Sequence, residues 1–288
     1  MFILTYKVNF NDLNKKIEEL QIQDIYNVFY DAPLEITTED YGYGYVEKNV
    51  EFIDLKVAYD SEDISLDEFK DKVTNILNCE LLSCEEVHYD YEQYDFPSVY
   101  INDNWVLAHP NVFIDEKYMN KISFISQGAF GTGLHETTRD LLDLILNKLD
   151  IKNKTILDIG TGSGILSIAS SIVGAKKVTA LDIRDVTEEV TLNSELNGLY
   201  NIEVVIGNAL EDDLDFDKEY DWIYINIGGE ETQMFMDFIK THLAKDGKIL
   251  VSGLVEWSFD KVKEKVESYG YHLLEKYQTN EWITAIFE

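Results

Sequence analysis

The beginning of the chain carries two spacings of hydrophobic residues, one typical of strands and one typical of helices. Residues 2–10 alternate apolar and polar side chains, which predicts a half-buried strand. Helical spacing follows, with Leu13, Ile17 and Leu20 on one side. Further strands are predicted at 25–30, 50–59 and 84–92, with a Gly/Tyr loop at 39–45. A second helix is predicted at 65–77, where Ser65 and Glu68 would form a capping box. This order predicts a small α+β domain of the split βαβ, or ferredoxin-like, kind.

The remainder of the chain alternates predicted strands with predicted helices. Strands are predicted at 155–159, 177–182, 202–206, 221–227 and 247–252, after a hairpin at 99–106 and before a terminal hairpin of 271–277 and 282–287. Alternation of this kind predicts an α/β fold, a parallel sheet covered by helices on both faces. The terminal hairpin adds an antiparallel strand. We therefore expect two domains, at 1–95 (ending in a short linker, 84–95) and at 96–288.

Composition is that of an ordinary globular protein. The chain has 288 residues, of which 45% are hydrophobic and 27% charged, so a sizeable core is expected. No apolar run reaches the roughly 18 residues of a membrane helix, and the first residues do not form a secretory signal. The two cysteines, Cys79 and Cys84, are too few for a disulfide framework or a four-ligand zinc site. We expect a reducing, cytoplasmic location and no membrane association.

The net charge indicates which kinds of partner the protein is expected to bind. Lys and Arg number 24 and Asp and Glu 55, a formal charge of −31 that both predicted domains share. Direct binding to nucleic acid needs a basic surface, so we do not expect it. An acidic surface favours basic partners, mainly by steering their approach, although a generally acidic host proteome would explain it equally well. The oligomeric state stays open, with a monomer favoured.

A glycine-rich turn after the predicted strand 155–159 is the first chemical signal. Gly160, Gly162 and Gly164 have the spacing G-x-G-x-G, with Asp158 two residues before the first glycine. The next strand ends at Asp182, where a carboxylate accepts hydrogen bonds from both hydroxyls of a ribose; the alternative is a helix cap. Together these residues predict a nucleoside-cofactor site. A nicotinamide enzyme is disfavoured, because its G-x-G-x-x-G turn is absent.

A third sequence motif indicates a particular protein family. Residues 127–138, QGAFGTGLHETT, resemble the A-F-G-T-G-x-H-x-T-T signature of the PrmA family of class I methyltransferases. The resemblance continues through 158–169, 174–177, 193–198 and 226–227 and covers about residues 97–288. It implies a Rossmann-like sheet with an antiparallel terminal strand, S-adenosylmethionine as cofactor, and methyl transfer to amine nitrogens (Lys side chains, the N-terminal α-amine, or both) of ribosomal protein L11. It also implies that the small first domain recognises the protein substrate.

The resemblance assigns roles to particular residues. It implies cofactor contacts by Thr138, Gly160, Asp182 and Asn226, with Thr138 expected to begin a helix at 138–149, and Asn226 also expected to face the acceptor amine. The full set of expected cofactor-site residues adds Phe130, Asp158, Gly162, Gly164 and Asn208, the last with a turn role as its alternative. His135 is the candidate general base, and a loop-stabilising hydrogen bond is its equal alternative. No dedicated base is required.

Three segments depart from the family pattern. Glu136 stands where the family usually has Pro, residues 228–231 read GGEE instead of an apolar stretch, and 91–96 replace a Trp-rich linker. One hypothesis is that Glu230 and Glu231 attract a cationic amine; the other is that they begin a helix. These departures leave two alternatives open, namely a different acceptor (another basic protein or a small amine) and a non-catalytic cofactor-binding module. Glu211, Asp212, Asp213, Asp215 and Asp217 lack the spacing of a calcium loop, so no metal is expected.

Overall fold

The chain divides into two compact units. The structure is a computed structural model that describes residues 1–59, 64–87, 97–115, 119–211, 214, 216 and 219–288. The units are Met1–Thr38 with Tyr43–Tyr94, and Glu39–Gly42 with Asp95–Glu288. The linker 91–96 and Asp212, Asp213, Asp215 and Asp217 lie outside the described residues. No helix in the described ranges is long and apolar enough to cross a membrane.

The first unit is an α+β sandwich. Its described elements are β1 (Phe2–Asn9), α1 (Leu13–Gln21), β2 (Val28–Tyr30), β3 (Leu34–Thr38), β4 (Tyr43–Glu47), β5 (Phe52–Tyr59), α2 (Leu66–Leu77) and β6 (Glu80–Glu86). Four strands form an antiparallel sheet in the order β2-β5-β1-β6. Alternate residues of β1 and β5 share one buried core with the apolar sides of α1 and α2. This is the ferredoxin-like arrangement that the sequence predicts.

Local chemistry sets several boundaries in this unit. The capping box at Ser65 is present, since its hydroxyl accepts the Glu68 N–H at 3.3 Å and the Glu68 carboxylate accepts the Ser65 N–H at 3.0 Å. The predicted strand at 25–30 is reduced to β2, and the strand predicted at 84–92 begins earlier, at Glu80; residues 88–92 are outside the described ranges. The Gly/Tyr loop predicted at 39–45 is wrong at residues 43–45, which belong to β4; this strand pairs with β3 to form a hairpin that was not predicted.

The second unit contains a seven-stranded sheet between two layers of helices. Its described elements are β7 (Val99–Tyr100), β8 (Trp105–Ala108), β9 (Asn120–Ser123), α3 (Glu136–Asn147), β10 (Thr155–Ile159), α4 (Ile165–Ile172), β11 (Lys177–Asp182), α5 (Thr187–Leu196), β12 (Ile202–Ile206), β13 (Tyr220–Ile225), α6 (Gly229–Met234), α7 (Met236–His242), β14 (Leu243–Val255), α8 (Phe259–Glu267), β15 (Leu273–Thr279) and β16 (Trp282–Phe287). The sheet order is β12-β11-β10-β13-β14-β16-β15, parallel except at β16.

Alternate side chains of this sheet pack into two separate hydrophobic cores. Strand residues such as Ile156 and Tyr224 pack with α3 and α4, whereas Leu157 and Ile223 pack with α7 and α8. Strands β10, β11 and β12 have the bounds that the sequence predicts, while β14 is longer than predicted. A small sheet of β7, β8 and β9 includes a parallel pair, β8 with β9, that sequence patterns did not reveal.

Candidate functional site

The glycine turn lies where β10 ends and α4 begins. Gly160, Gly162 and Gly164 all have positive φ, which side chains other than glycine rarely adopt. Space is also restricted, because a Cβ at Gly162 would collide with the carbonyl oxygen of Phe130 and one at Gly164 would lie 2.8 Å from Val190 Cγ2. The three glycines therefore satisfy a steric requirement of the turn itself.

Two buried carboxylates hold this turn. Asp182 accepts the N–H of Gly162 at 2.9 Å through Oδ2 and the N–H of Arg184 at 3.0 Å through Oδ1. Asp158 Oδ2 accepts hydrogen bonds from the hydroxyls of Thr161 at 2.7 Å and Ser167 at 2.8 Å. Burial raises the pKa of Asp158 to about 6, and the nearby Asp182 carboxylate adds to the shift, against the lowering effect of the two hydroxyls.

A cavity of about 540 Å³ opens at this edge of the sheet, where Asp182 ends β11 and Gly160 and Asn226 directly follow β10 and β13. Seven expected site residues line it, namely Phe130, His135, Gly160, Gly162, Asp182, Asn208 and Asn226. The other three, Thr138, Asp158 and Gly164, do not line the cavity. Asp158 accepts a hydrogen bond from Thr161 in the glycine turn, and Gly164 is part of that turn and packs against Val190. Asn208 also accepts the Leu210 N–H at 3.1 Å, so its turn role is present as well.

Asn226 has an unusual buried atom. Its side-chain oxygen, Oδ1, is buried and has no hydrogen-bond partner among the described residues. Leaving such an acceptor unsatisfied costs about 1–3 kcal/mol, so a bound donor would relieve a real penalty. The hydroxyl of Thr138, in the first turn of α3, is buried without a partner in the same sense. The Asn226 oxygen is an acceptor and the Thr138 hydroxyl is both donor and acceptor, and neither has a hydrogen-bond partner among the described residues.

Helix α3 begins at Glu136, two residues before the predicted start at Thr138, because His135 acts as its N-cap. His135 Nδ1 accepts the Thr137 N–H at 3.3 Å and lies 2.9 Å from the Thr137 hydroxyl. Its ring also contacts the rings of Phe130 and Trp282, with centroids 6.0 and 4.7 Å apart. The loop-stabilising role that the sequence left open is therefore present. An Nδ1 that accepts a hydrogen bond leaves the proton of the neutral ring on Nε2.

Several residues that line the cavity were not predicted from the sequence. Ile183, Arg184, Ile227, Phe235 and Trp282 all line the cavity. Ile183 and Ile227 were within reach of local reasoning, since each directly follows an expected site residue. Trp282 opens β16, far along the chain, and only the pairing of β16 with β14 and β15 brings it to this edge.

The departure at residues 228–231 directly follows Ile227, a residue of this wall. Glu230 and Glu231 are in the first turn of α6, and neither lines the cavity. A Cβ at Gly228 would lie 2.6 Å from Glu231 Oε2, so that carboxylate lies against the segment that follows Asn226. The helix-starting role suggested for the pair is present. In the described ranges, no three His, Cys, Asp or Glu side chains come close enough together to hold a metal ion.

A seven-stranded sheet with one antiparallel strand next to its end, and a glycine turn after the first strand of its alternating part, defines a class I methyltransferase fold. The sequence model of the ribosomal protein L11 methyltransferase (PrmA) family matches residues 44–288. The chain therefore belongs to that family, and the expected fold class is confirmed.

Individual relatives agree with the family assignment. The chain is 38% identical over 162 residues to the ribosomal protein L11 methyltransferase of Streptococcus pneumoniae (strain Hungary19A-6), covering 56% of this chain and 50% of that protein. It is 37% identical over 183 residues to that of Lactobacillus gasseri, covering 62% and 55%. The matches thus span about half the length of these curated relatives. The crystal structure of ribosomal protein L11 methylase from Lactobacillus delbrueckii subsp. bulgaricus superposes with a TM-score of 0.60 at 28% identity, covering 67% of this chain and 98% of that one.

Proposed function

We propose that this protein transfers methyl groups from S-adenosylmethionine to amine nitrogens of ribosomal protein L11, on Lys side chains, the N-terminal α-amine, or both. The observation that carries the proposal is the unpartnered Asn226 oxygen in the cavity that the glycine turn and Asp182 also line. Family membership supports ribosomal protein L11 as the acceptor. The finer choice among amines rests on chemistry alone.

The residues present fit the cofactor. A cavity of about 540 Å³ is within the range of small-molecule sites. Backbone at Gly160 and Gly162 permits close approach of the methionine part, and each Asp182 oxygen keeps a lone pair for a ribose hydroxyl beside its backbone hydrogen bond. Ile183 and Ala209 supply apolar wall suited to a purine. The sulfonium of the bound cofactor supplies an already activated methyl group.

Asn226 would act on the acceptor. Its side-chain oxygen accepts a hydrogen bond from the incoming amine and so points the nitrogen lone pair along one direction in the cavity. Correct positioning of two reactants is worth up to about 7–11 kcal/mol of barrier. The amine must be neutral: a Lys amine has an ordinary pKa near 10.4 and an α-amine one near 7.7–8.0, and burial lowers both.

His135 would shape the site instead of taking the proton. Its Nδ1 is engaged at the start of α3, and protonation there would replace the acceptor that caps the helix with a donor. The amine proton can be lost to water before transfer. Phe130 and Trp282, in contact with the His135 ring, provide an apolar wall that excludes water around the amine.

The first unit, with residues 1–95 as its expected extent, would recognise the protein substrate. It carries 7 basic and 23 acidic residues, a charge suited to a basic ribosomal protein. The alternating helices and strands of 96–288 would then form the catalytic domain. We propose this division of labour on charge and fold.

Transfer of labelled methyl from S-adenosylmethionine to purified ribosomal protein L11, with mass spectrometry to locate the label, tests the proposal. Label on a Lys or α-amine, lost in Asp182→Ala, would support donor, acceptor and cofactor site together. Cofactor binding by calorimetry without label would refute the acceptor. Failure of the wild-type protein to bind S-adenosylmethionine at all would refute the cofactor.

A further inference from the structure

The hairpin of β3 and β4 carries an exposed hydrophobic face. In its register Leu34 lies opposite Glu47, Ile36 opposite Tyr45 and Thr38 opposite Tyr43, and residues that lie opposite each other project from the same side. Four large apolar side chains on this side are well exposed: Leu34 (46%), Ile36 (66%), Tyr43 (43%) and Tyr45 (65%). We call these four residues the hairpin face.

The hairpin face lies outside the protein's hydrophobic cores. None of its four residues belongs to, or packs against, the three core clusters formed by the described residues. The hairpin is a two-stranded sheet of its own, and such a ribbon is marginal unless another layer packs on it. Contiguous exposed apolar residues with polar surroundings are typical of interaction surfaces. Tyrosine in particular is enriched where proteins bind proteins.

Charge identifies the kind of partner. Residues 34–38 and 43–48 contain two acidic residues, Glu35 and Glu47, and one cation, Lys48, and the nearby Asp31 is already paired with Lys56 at 2.7 Å. Glu47 is on the same side as the hairpin face, where it lies opposite Leu34. A second copy of this chain would bring the same acidic surface and a charge of −31, and would be repelled. A Lys-rich segment would be attracted, with its ammonium groups near the carboxylates and its aliphatic stems against the Tyr and Ile side chains.

We propose that the hairpin face docks a lysine-rich segment of the methyl acceptor. This rests on the proposed function in taking that acceptor to be a basic protein. Tyr45 contributes its ring face to a Lys ammonium, and Ile36 contributes apolar area beside it. Glu35 and Glu47 accelerate the encounter and make binding sensitive to salt.

The test is binding of purified ribosomal protein L11 to the full chain, measured by calorimetry without S-adenosylmethionine. Ile36→Ser with Tyr45→Ser is expected to raise the dissociation constant about tenfold or more, since truncating central tyrosines at an interface commonly has an effect of that size. Ile36→Val with Tyr45→Phe, which keeps the apolar surface, should bind like wild type. Ile22→Ser, at a 76% exposed residue just after α1, is the matched control. Glu35→Gln with Glu47→Gln should reduce the salt dependence of the association rate.

Methylation assays separate this proposal from the proposed function. With protein acceptor, the serine variant should raise KM about tenfold at unchanged kcat, while activity on a short Lys peptide at saturating concentration stays at the wild-type level. Wild-type affinity of the serine variant would overturn the docking site even where methylation proceeds. Loss of affinity in the serine variant without any methylation by wild type would support the docking site and refute the proposed function. If wild type does not bind ribosomal protein L11 at all, the docking proposal fails.

Discussion

The carboxylate of Asp182, at the end of one strand, accepts the backbone N–H of Gly162 at 2.9 Å, in the turn that follows the neighbouring strand. One side chain thus fixes the glycine turn and also faces the cavity. Segments before and after this pair in the chain, such as those that carry Phe130 and Trp282, supply the other walls. Under the proposed function, this relationship ties the affinity for S-adenosylmethionine to the shape of the turn.

Removing the Asp182 charge should weaken cofactor binding. Asp182→Asn keeps an acceptor oxygen and much of the shape but replaces a charged hydrogen-bond acceptor with a neutral one, a change worth about 1.5–3 kcal/mol. We expect an increase of about ten- to a hundredfold in the dissociation constant of S-adenosylmethionine, measured by calorimetry. Unchanged affinity would show that the carboxylate serves the turn alone. Glu203→Gln, at an exposed position of β12, is a suitable control.

Stability should depend on the ionisation of Asp158. Its pKa of about 6 in the folded protein is above the ordinary value of 3.8, so the folded state binds this proton more tightly than the unfolded chain does. The stabilisation is complete below about pH 4 and is lost as the pH rises through 6, a change on the order of 3 kcal/mol. Asp158→Asn should remove this component. Free energies of unfolding of both proteins between pH 4 and 7 provide the check, and parallel curves would contradict the assignment.

His135 substitutions should distinguish a cap from a base. Asn also caps helices well, so His135→Asn should keep both stability and the shape of the pH–rate profile, with any loss of rate confined to the changed cavity wall. His135→Ala lacks a capping group and should lose about 0.5–2 kcal/mol of stability. Thermal unfolding and the pH dependence of kcat measure the two effects. A limb of the pH–rate profile that disappears in His135→Asn would instead identify a general base.

Asn226 should matter for transfer and little for stability. Asn226→Ala removes the oxygen expected to orient the amine, so kcat should fall about a hundredfold, the loss that a misplaced reactant commonly brings. The folded protein loses an unpartnered buried acceptor, so the melting temperature should stay equal or rise. Single-turnover kinetics and calorimetry of the cofactor complex separate the steps. A drop in rate with an equal drop in cofactor affinity would place Asn226 on the cofactor alone.

The two glutamates of α6 should affect stability more than acceptor affinity. Both lie in the first helical turn, where negative charge is worth about 0.3–1 kcal/mol each, and neither lines the cavity. Glu230→Gln with Glu231→Gln is therefore expected to leave the KM for a Lys peptide within about twofold of wild type. The same change should lower the free energy of unfolding by about 0.3–1 kcal/mol per residue. A KM that rises tenfold at low salt would restore the attraction hypothesis.

Local sequence determined the parts of the site that depend on neighbouring residues. The turn at Gly160, Gly162 and Gly164 and the strands on either side could be predicted, because strand periodicity and the glycine requirement are properties of a few consecutive residues. The strand predicted at 221–227 ends at Ile225, so Asn226, which the family resemblance singled out, follows β13 instead of lying within it. The alternation of strands and helices likewise predicted the parallel sheet.

Tertiary structure decided what lies across the cavity and what is exposed. Trp282 reaches the ring of His135 only because β16 inserts between β14 and β15, and strand order is a property of long-range pairing that no local pattern encodes. The role of His135 depended in turn on where α3 begins. The exposure of Ile36 and Tyr45 required knowing that the β3–β4 hairpin stays outside the larger sheets. Physically, periodicity tells which residues share a face, and only packing determines what that face meets.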